Sequence, residues 1–123
     1  HGHMVSYFVN ELWLLDKIDM VKYNLFNKKY KYILLAVDVF SRKVFIEPLK
    51  SKDIPHVLEG FKELTKHEKP RSILSDHEPA FIGNEFYEYL KKQEIVLNVN
   101  KLGDHKALGI VDNFVKKIKN YFY

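Results

Sequence analysis

At 123 residues, with 46% hydrophobic and 15% aromatic content, the chain is long enough for one domain with a real core and too short for two ordinary ones. Twenty basic against 16 acidic residues give a formal net charge of +4, a mild excess that favours a polyanionic partner. There is no cysteine, which excludes disulfides and thiolate zinc sites and fits an intracellular protein, and no apolar run approaches the roughly 18 residues of a membrane span.

The opening His1-Gly2-His3-Met4 reads as an expression-tag remnant, so residues 1–4 are set aside and His1 and His3 carry no metal argument. Residues 5–123 read as a single domain, and the close on Asn120-Tyr121-Phe122-Tyr123 in mid-helical pattern suggests an excised fragment. The first predicted element is the apolar run Leu12 to Met20, short enough for a central strand buried on both faces. Strand alternation puts Asp16 on one face with Leu14, Ile18 and Met20, and Asp19 on the other with Trp13, Leu15 and Lys17. A carboxylate on such a strand costs several kcal/mol unless a lysine, backbone donors or a cation sits beside it. Tyr23 to Lys31 reads as a connection, Tyr32 to Phe40 as a second strand and Val44 to Pro48 as a third, after a turn at Ser41-Arg42-Lys43. These three form an antiparallel meander.

Ser51-Lys52-Asp53 offers capping groups to a helix whose apolar stripe is Val57, Leu58, Phe61 and Leu64, ending near His67 with Pro70 beyond. Ser72 to Ser75 is a short strand arriving at Asp76 and the turn His77-Glu78-Pro79. Asn84 to Lys92 is a helix with Phe86, Tyr89 and Leu90 inward, and Ile95 to Val99 is a last strand. Alternating strands and helices after a meander imply an α/β fold with a mixed five-stranded sheet flanked by helices. The polar, glycine-containing stretch Asn100 to Ala107 reads as a loop. Beyond it Val111, Phe114, Val115, Ile118 and Phe122 trace an amphipathic helix whose polar side carries Asp112, Lys116 and Lys119. Asp16, Asp76 and Asp112 are the acids that, converging, would make a divalent-metal site of hard oxygen donors. Asp19 and Asp38 suit structural hydrogen bonding better, and His56, His67 and His77 suit surface or turn positions, since no histidine pair has ligand spacing.

Three pieces of the chain together resemble the catalytic core of retroviral-type integrases, within the ribonuclease H-like superfamily. Trp13-Leu14-Leu15-Asp16 is similar to the family's Trp-x-x-Asp on the first strand. Ser75-Asp76-His77-Glu78-Pro79-Ala80-Phe81 is similar to its Ser/Thr-Asp segment after the fourth, and 35 residues separate Asp76 from Asp112, the family's spacing between second and third acids. Tyr30 to Arg42 and Lys106 to Lys119 most resemble integrases of Maverick/Polinton transposons and virophages. Three departures stand out: Asp112 replaces the usual glutamate, Asn113 stands where a basic residue is frequent, and His77-Glu78 replaces an asparagine-glycine pair.

The resemblance implies a ribonuclease H-like fold and a polynucleotidyl transferase that trims DNA 3′ ends and joins them to target DNA. It assigns Asp16, Asp76 and Asp112 as ligands of Mg²⁺, with Mn²⁺ as substitute, two ions being implied, and Asp16 bridging them. Lys116 and Lys119 would grip the DNA end, with Lys101, His105 and Lys106 in the loop above it. The partners it implies are the element's ends and target DNA, together with a possible homo-oligomer and no membrane, at the site of integration in the host nucleus. The same fold also serves ribonuclease H and other nucleases, and a noncatalytic, domesticated nucleic-acid-binding module is the alternative from a different class.

Overall fold

Leu12, Trp13, Leu14 and Leu15 are consecutive and all buried, so the strand they begin, β1 (Leu12–Asp19), needs neighbours on both edges and cover on both faces. The computed structural model, which describes residues 6–22, 29–75, 84–98, 113, 116 and 117, supplies those edges. β2 (Tyr32–Asp38) pairs antiparallel with β1, from Trp13 opposite Asp38 to Asp19 opposite Tyr32. β3 (Val44–Leu49) pairs antiparallel with β2 and carries Pro48 on the sheet edge, where a missing N–H is tolerated. The turn between them holds Arg42 at a φ of 68°. β4 (Ser72–Leu74) lies parallel to β1 on its other side, and β5 (Val96–Asn98) parallel to β4, giving the order β3-β2-β1-β4-β5.

The two parallel steps are bridged by α1 (Ile54–Leu64) and α2 (Glu85–Lys92). Of the two capping candidates Ser51 and Asp53, Asp53 is the N-cap of α1, its carboxylate accepting from His56 N at 3.0 Å, with Pro55 in the first turn. The helix stops at Leu64 rather than near His67. The C-cap is Thr65, at φ −96° and ψ 11°, whose hydroxyl donates to the Phe61 carbonyl at 2.9 Å. Asn84 caps α2 by accepting from Phe86 N at 2.9 Å.

Both helices cover one face of the sheet. Trp13 and Leu15 of β1, Leu34 and Ala36 of β2 and Ile73 of β4 meet Val57 and Phe61 of α1 and Phe86 and Leu90 of α2 in one core. Trp13 stacks on Phe45 with centroids 4.3 Å apart, and Phe61 meets Phe86 at 5.2 Å, tying α1 to α2. Gly60 lets α1 close down on the sheet: a Cβ there would sit 2.6 Å from Leu49 Cδ2. Leu12, Leu14, Val39 and Leu74 form a second buried cluster on the opposite face, the face that alternation assigns to Asp16. No described helix is long and apolar enough to cross a membrane.

Candidate functional site

Asp16 sits half-buried in β1, opposite Leu35 of β2, with one carboxylate oxygen accepting from Lys17 N at 2.8 Å. On the other edge of β1, the parallel register with β4 ends at Leu14 opposite Leu74. Ser75, the next residue, is only 1% exposed. Asp76 and Asp112 lie outside the described residues, as do Lys101, His105, Lys106, Lys119 and His77. Lys116 is helical and exposed, as are Asn113 and Lys117. Among the described residues no three His, Asp or Glu side chains cluster as metal ligands. Asp16 brings an oxygen donor of the hardness Mg²⁺ takes, on a strand that holds its backbone in place.

The neighbouring acids are otherwise engaged. Asp19 Oδ1 accepts from Val21 N at 2.9 Å and Lys22 N at 3.3 Å, closing the turn that ends β1. Asp38 is fully buried, and it is a structural acceptor. Its Oδ1 takes Asn10 N at 3.2 Å, and its Oδ2 takes Ser41 Oγ at 2.5 Å and Ser41 N at 3.3 Å. Asn10, at a φ of 64°, also accepts from Trp13 Nε1 at 3.0 Å and from Arg71 N at 2.8 Å through its carbonyl, so it links the starts of β1 and β4 to the end of β2. His56 is an exposed residue of α1 whose Nδ1 lies 2.6 Å from Asp53 Oδ1, and His67 is exposed.

Sequence reasoning gave Lys17 no functional role. It stands on the helix-side face, with Asp19, in a cleft of about 680 Å³ that Tyr32, Lys52, Asp53 and Ile54 also line. Burial, then the nearby Lys52 charge, holds the Lys17 ammonium below its ordinary value of 10.5, with Asp16 acting in the opposite sense. Lys17 Nζ lies 3.5 Å from the Lys52 carbonyl, at the long limit of a hydrogen bond. A lysine inside an otherwise apolar strand run was the signal available in the sequence.

The order of strands, the half-buried Asp16 on the central one and the helices between parallel strands are accompanied by a family match. The integrase core domain model matches residues 9–105. The chain belongs to the integrase core domain family. This integrase core is similar to the catalytic core domain of HTLV-2 integrase solved in complex with magnesium, at 26% identity and a TM-score of 0.68 over 90% of this chain and 68% of that one. A simian T-cell lymphotropic virus intasome in complex with PP2A regulatory subunit B56 gamma contains a chain of the same fold, with a TM-score of 0.72 at 21% identity over 97% of this chain and 42% of that one. In sequence, the core is 21% identical over 112 residues to the intracisternal A-particle Pol-related polyprotein of mouse intracisternal A-particle MIA14. The match takes in 90% of this chain and 12% of that polyprotein's length. The fold is therefore the ribonuclease H-like fold of retroviral-type integrase cores, a five-stranded mixed sheet with helices.

Proposed function

We propose that residues 5–123 act as the catalytic core of a DNA integrase, a divalent-metal-dependent polynucleotidyl transferase that trims the 3′ ends of a mobile element or viral genome and joins them to target DNA. The observation that carries this reading is Asp16, a half-buried carboxylate on the central strand of an integrase core domain, beside the strand that leads to Asp76. The HTLV-2 relative, solved with magnesium, supports Mg²⁺ as the ion here, with Mn²⁺ as substitute. In this reading Asp16, Asp76 and Asp112 hold two such ions. Bound ions would activate the attacking hydroxyl or water and stabilise the leaving oxygen, which is why no protein nucleophile is needed.

Lys116, exposed on its helix, contacts the phosphate backbone of the DNA end together with Lys119, and Lys101, His105 and Lys106 lie over that end. Relatives solved in dimeric and trimeric forms and as an intasome support a homo-oligomer as the working form. The segments Tyr30 to Arg42 and Lys106 to Lys119 favour a source among Maverick/Polinton-type transposons or virophages, with the host nucleus as the place of action.

The test is a strand-joining assay with Mg²⁺ or Mn²⁺, the full-length enzyme and a mobile-element end. Trimming and joining are expected, and Asp16→Asn should abolish both. Unchanged rates in Asp16→Asn would overturn the three-acid site, and cleavage of RNA–DNA hybrids without joining would move the chain to the nucleases of the same fold.

A further inference from the structure

β1 is not held equally on its two edges. Seven register pairs fasten it to β2, from Trp13 opposite Asp38 to Asp19 opposite Tyr32, whereas three fasten it to β4, from Leu12 opposite Ser72 to Leu14 opposite Leu74. Asp16 is therefore secure against β2, and the shorter joint decides where β4 delivers Leu74 and the residues after it beside Asp16. A parallel pairing of this length fixes its register weakly through its own ladder, and a slip of one residue turns every side chain to the other face.

Asn10 closes that joint where it begins. Its carbonyl accepts from Arg71 N at 2.8 Å, and the Arg71 carbonyl accepts from Val96 N at 2.9 Å, so the turn before β1, the entry of β4 and the start of β5 are fastened in a row. One residue on, the Glu11 carbonyl accepts from Ser72 N at 3.0 Å and from Ser72 Oγ at 3.1 Å. The Asn10 side chain aims the carbonyl that holds Arg71. Its Oδ1 accepts from Trp13 Nε1 at 3.0 Å, and its Nδ2 donates at 3.3 Å to Glu68 Oε1, in the connection from α1 to β4. Trp13 is a firm anchor for this, fully buried and stacked on Phe45. The φ of 64° is one that asparagine adopts more readily than most side-chain-bearing residues.

We propose that Asn10 is a positioning residue of the metal site: by tying Trp13 of β1 to Glu68 and Arg71 at the entry of β4, it sets the height at which β4 presents its carboxyl end to Asp16. The inference rests on the metal-dependent integrase reading and adds to it a residue at the far end of β1 from the ions. It also gives Trp13, three residues before Asp16, a part in the site as the anchor of the turn that holds β4.

The test sets Mn²⁺ affinity, read from the paramagnetic resonance signal of free Mn²⁺, beside stability in urea for the wild-type chain, Asn10→Gly, Asn10→Asp and Asp38→Ala. Glycine keeps the positive φ and both backbone hydrogen bonds and loses the two side-chain ones. Its Kd for Mn²⁺ should rise about tenfold or more, the scale on which metal sites respond when their ligands lose orientation. Aspartate keeps the acceptor for Trp13 and should bind Mn²⁺ more tightly than the glycine variant. Asp38→Ala removes the acceptor of the Asn10 N–H and spares the Asn10 carbonyl and side chain, so it should lose stability and keep the wild-type Kd. A folded Asn10→Gly with the wild-type Kd overturns the positioning role and leaves the integrase reading standing. An equal rise in Asp38→Ala overturns it too, since lost stability alone would then account for the effect, and Asn10→Asp no tighter than Asn10→Gly overturns the anchoring through Trp13. Should Asn10→Gly not fold, Glu68→Ala, which cuts the outer of the two side-chain bonds, carries the same comparison with the same outcomes. Absence of Mn²⁺ binding by wild type overturns both the positioning role and the metal-site reading.

Discussion

Leu14 and Leu74 are register partners in the parallel pairing of β1 and β4, and each precedes an acid by the same step in sequence, Asp16 after one and Asp76 after the other. Two neighbouring strands so aligned are the scaffold on which the proposed metal ligands depend. Millimolar Mn²⁺ should raise the melting temperature of the wild-type chain, because an ion bound only by the folded state adds about 2.7 kcal/mol at a hundredfold excess over its Kd. Asp16→Asn should remove that rise. Asp112→Glu should keep or enlarge it, since glutamate reaches one methylene further. A flat response to metal in both wild type and Asp112→Glu would count against the site.

Asp38 should matter to stability and not to metal. Its carboxylate is the buried acceptor for Asn10 N, Ser41 N and Ser41 Oγ, so Asp38→Ala leaves buried donors without a partner. The expected loss is about 2–4 kcal/mol in urea denaturation, with Asp38→Asn losing less because one acceptor oxygen remains. Strand joining per folded molecule should be unchanged. A loss within about 0.5 kcal/mol for Asp38→Ala would remove the structural role assigned to it.

Glu68 gives the acid limb of stability a specific origin. Its hydrogen bond from Lys43 at 2.5 Å, then that from Asn10, hold its carboxyl below the ordinary 4.5. A depressed folded value means that the stabilisation is fully present above 4.5 and is lost as the pH falls through the folded value. Glu68→Gln should therefore lower the melting temperature modestly above pH 4.5, as befits an exposed pair, and converge with wild type once the pH is below the folded value, so that its acid limb is shallower. An acid limb identical to wild type would assign it to other carboxylates.

Gly60 tests how closely α1 packs on the sheet. Valine there drives methyl groups toward Leu49 and Leu34, and overpacking of this kind costs about 1–3 kcal/mol. Gly60→Ala should cost less, because alanine recovers about 1 kcal/mol of helix propensity and the nearest atom is the end of the Leu49 side chain. Gly60→Val as stable as wild type in urea would show that the helix rides higher above the sheet.

Much of the fold was legible in the chain order. The alternation in Leu12 to Met20 separated Asp16 from Asp19, and the sheet keeps them apart: Trp13 and Leu15, on the Asp19 face, enter the helix-side core, while Leu14, on the Asp16 face, joins Leu12 and Leu74. The stripe at Val57, Leu58 and Phe61 is buried as the spacing required, and Phe86 and Leu90 likewise. Helix ends were less legible. Asp53 was one of two plausible caps, and the stop at Thr65 is a local departure from helical backbone angles that hydrophobic periodicity does not register.

By itself, then, the sequence determined which residues share a strand or helix face and which family the chain resembles, because periodicity and short motifs are properties of neighbours along the chain. Only the tertiary structure decided that Asn10 gathers Trp13, Asp38 and Arg71, and that Lys17 meets Lys52 across a cleft. These contacts join residues as far as 61 positions apart in the case of Asn10 and Arg71, and 35 in that of Lys17 and Lys52. They follow from strand register and from how closely α1 settles on the sheet, which are set when the whole core packs and leave no periodic trace in the residues themselves.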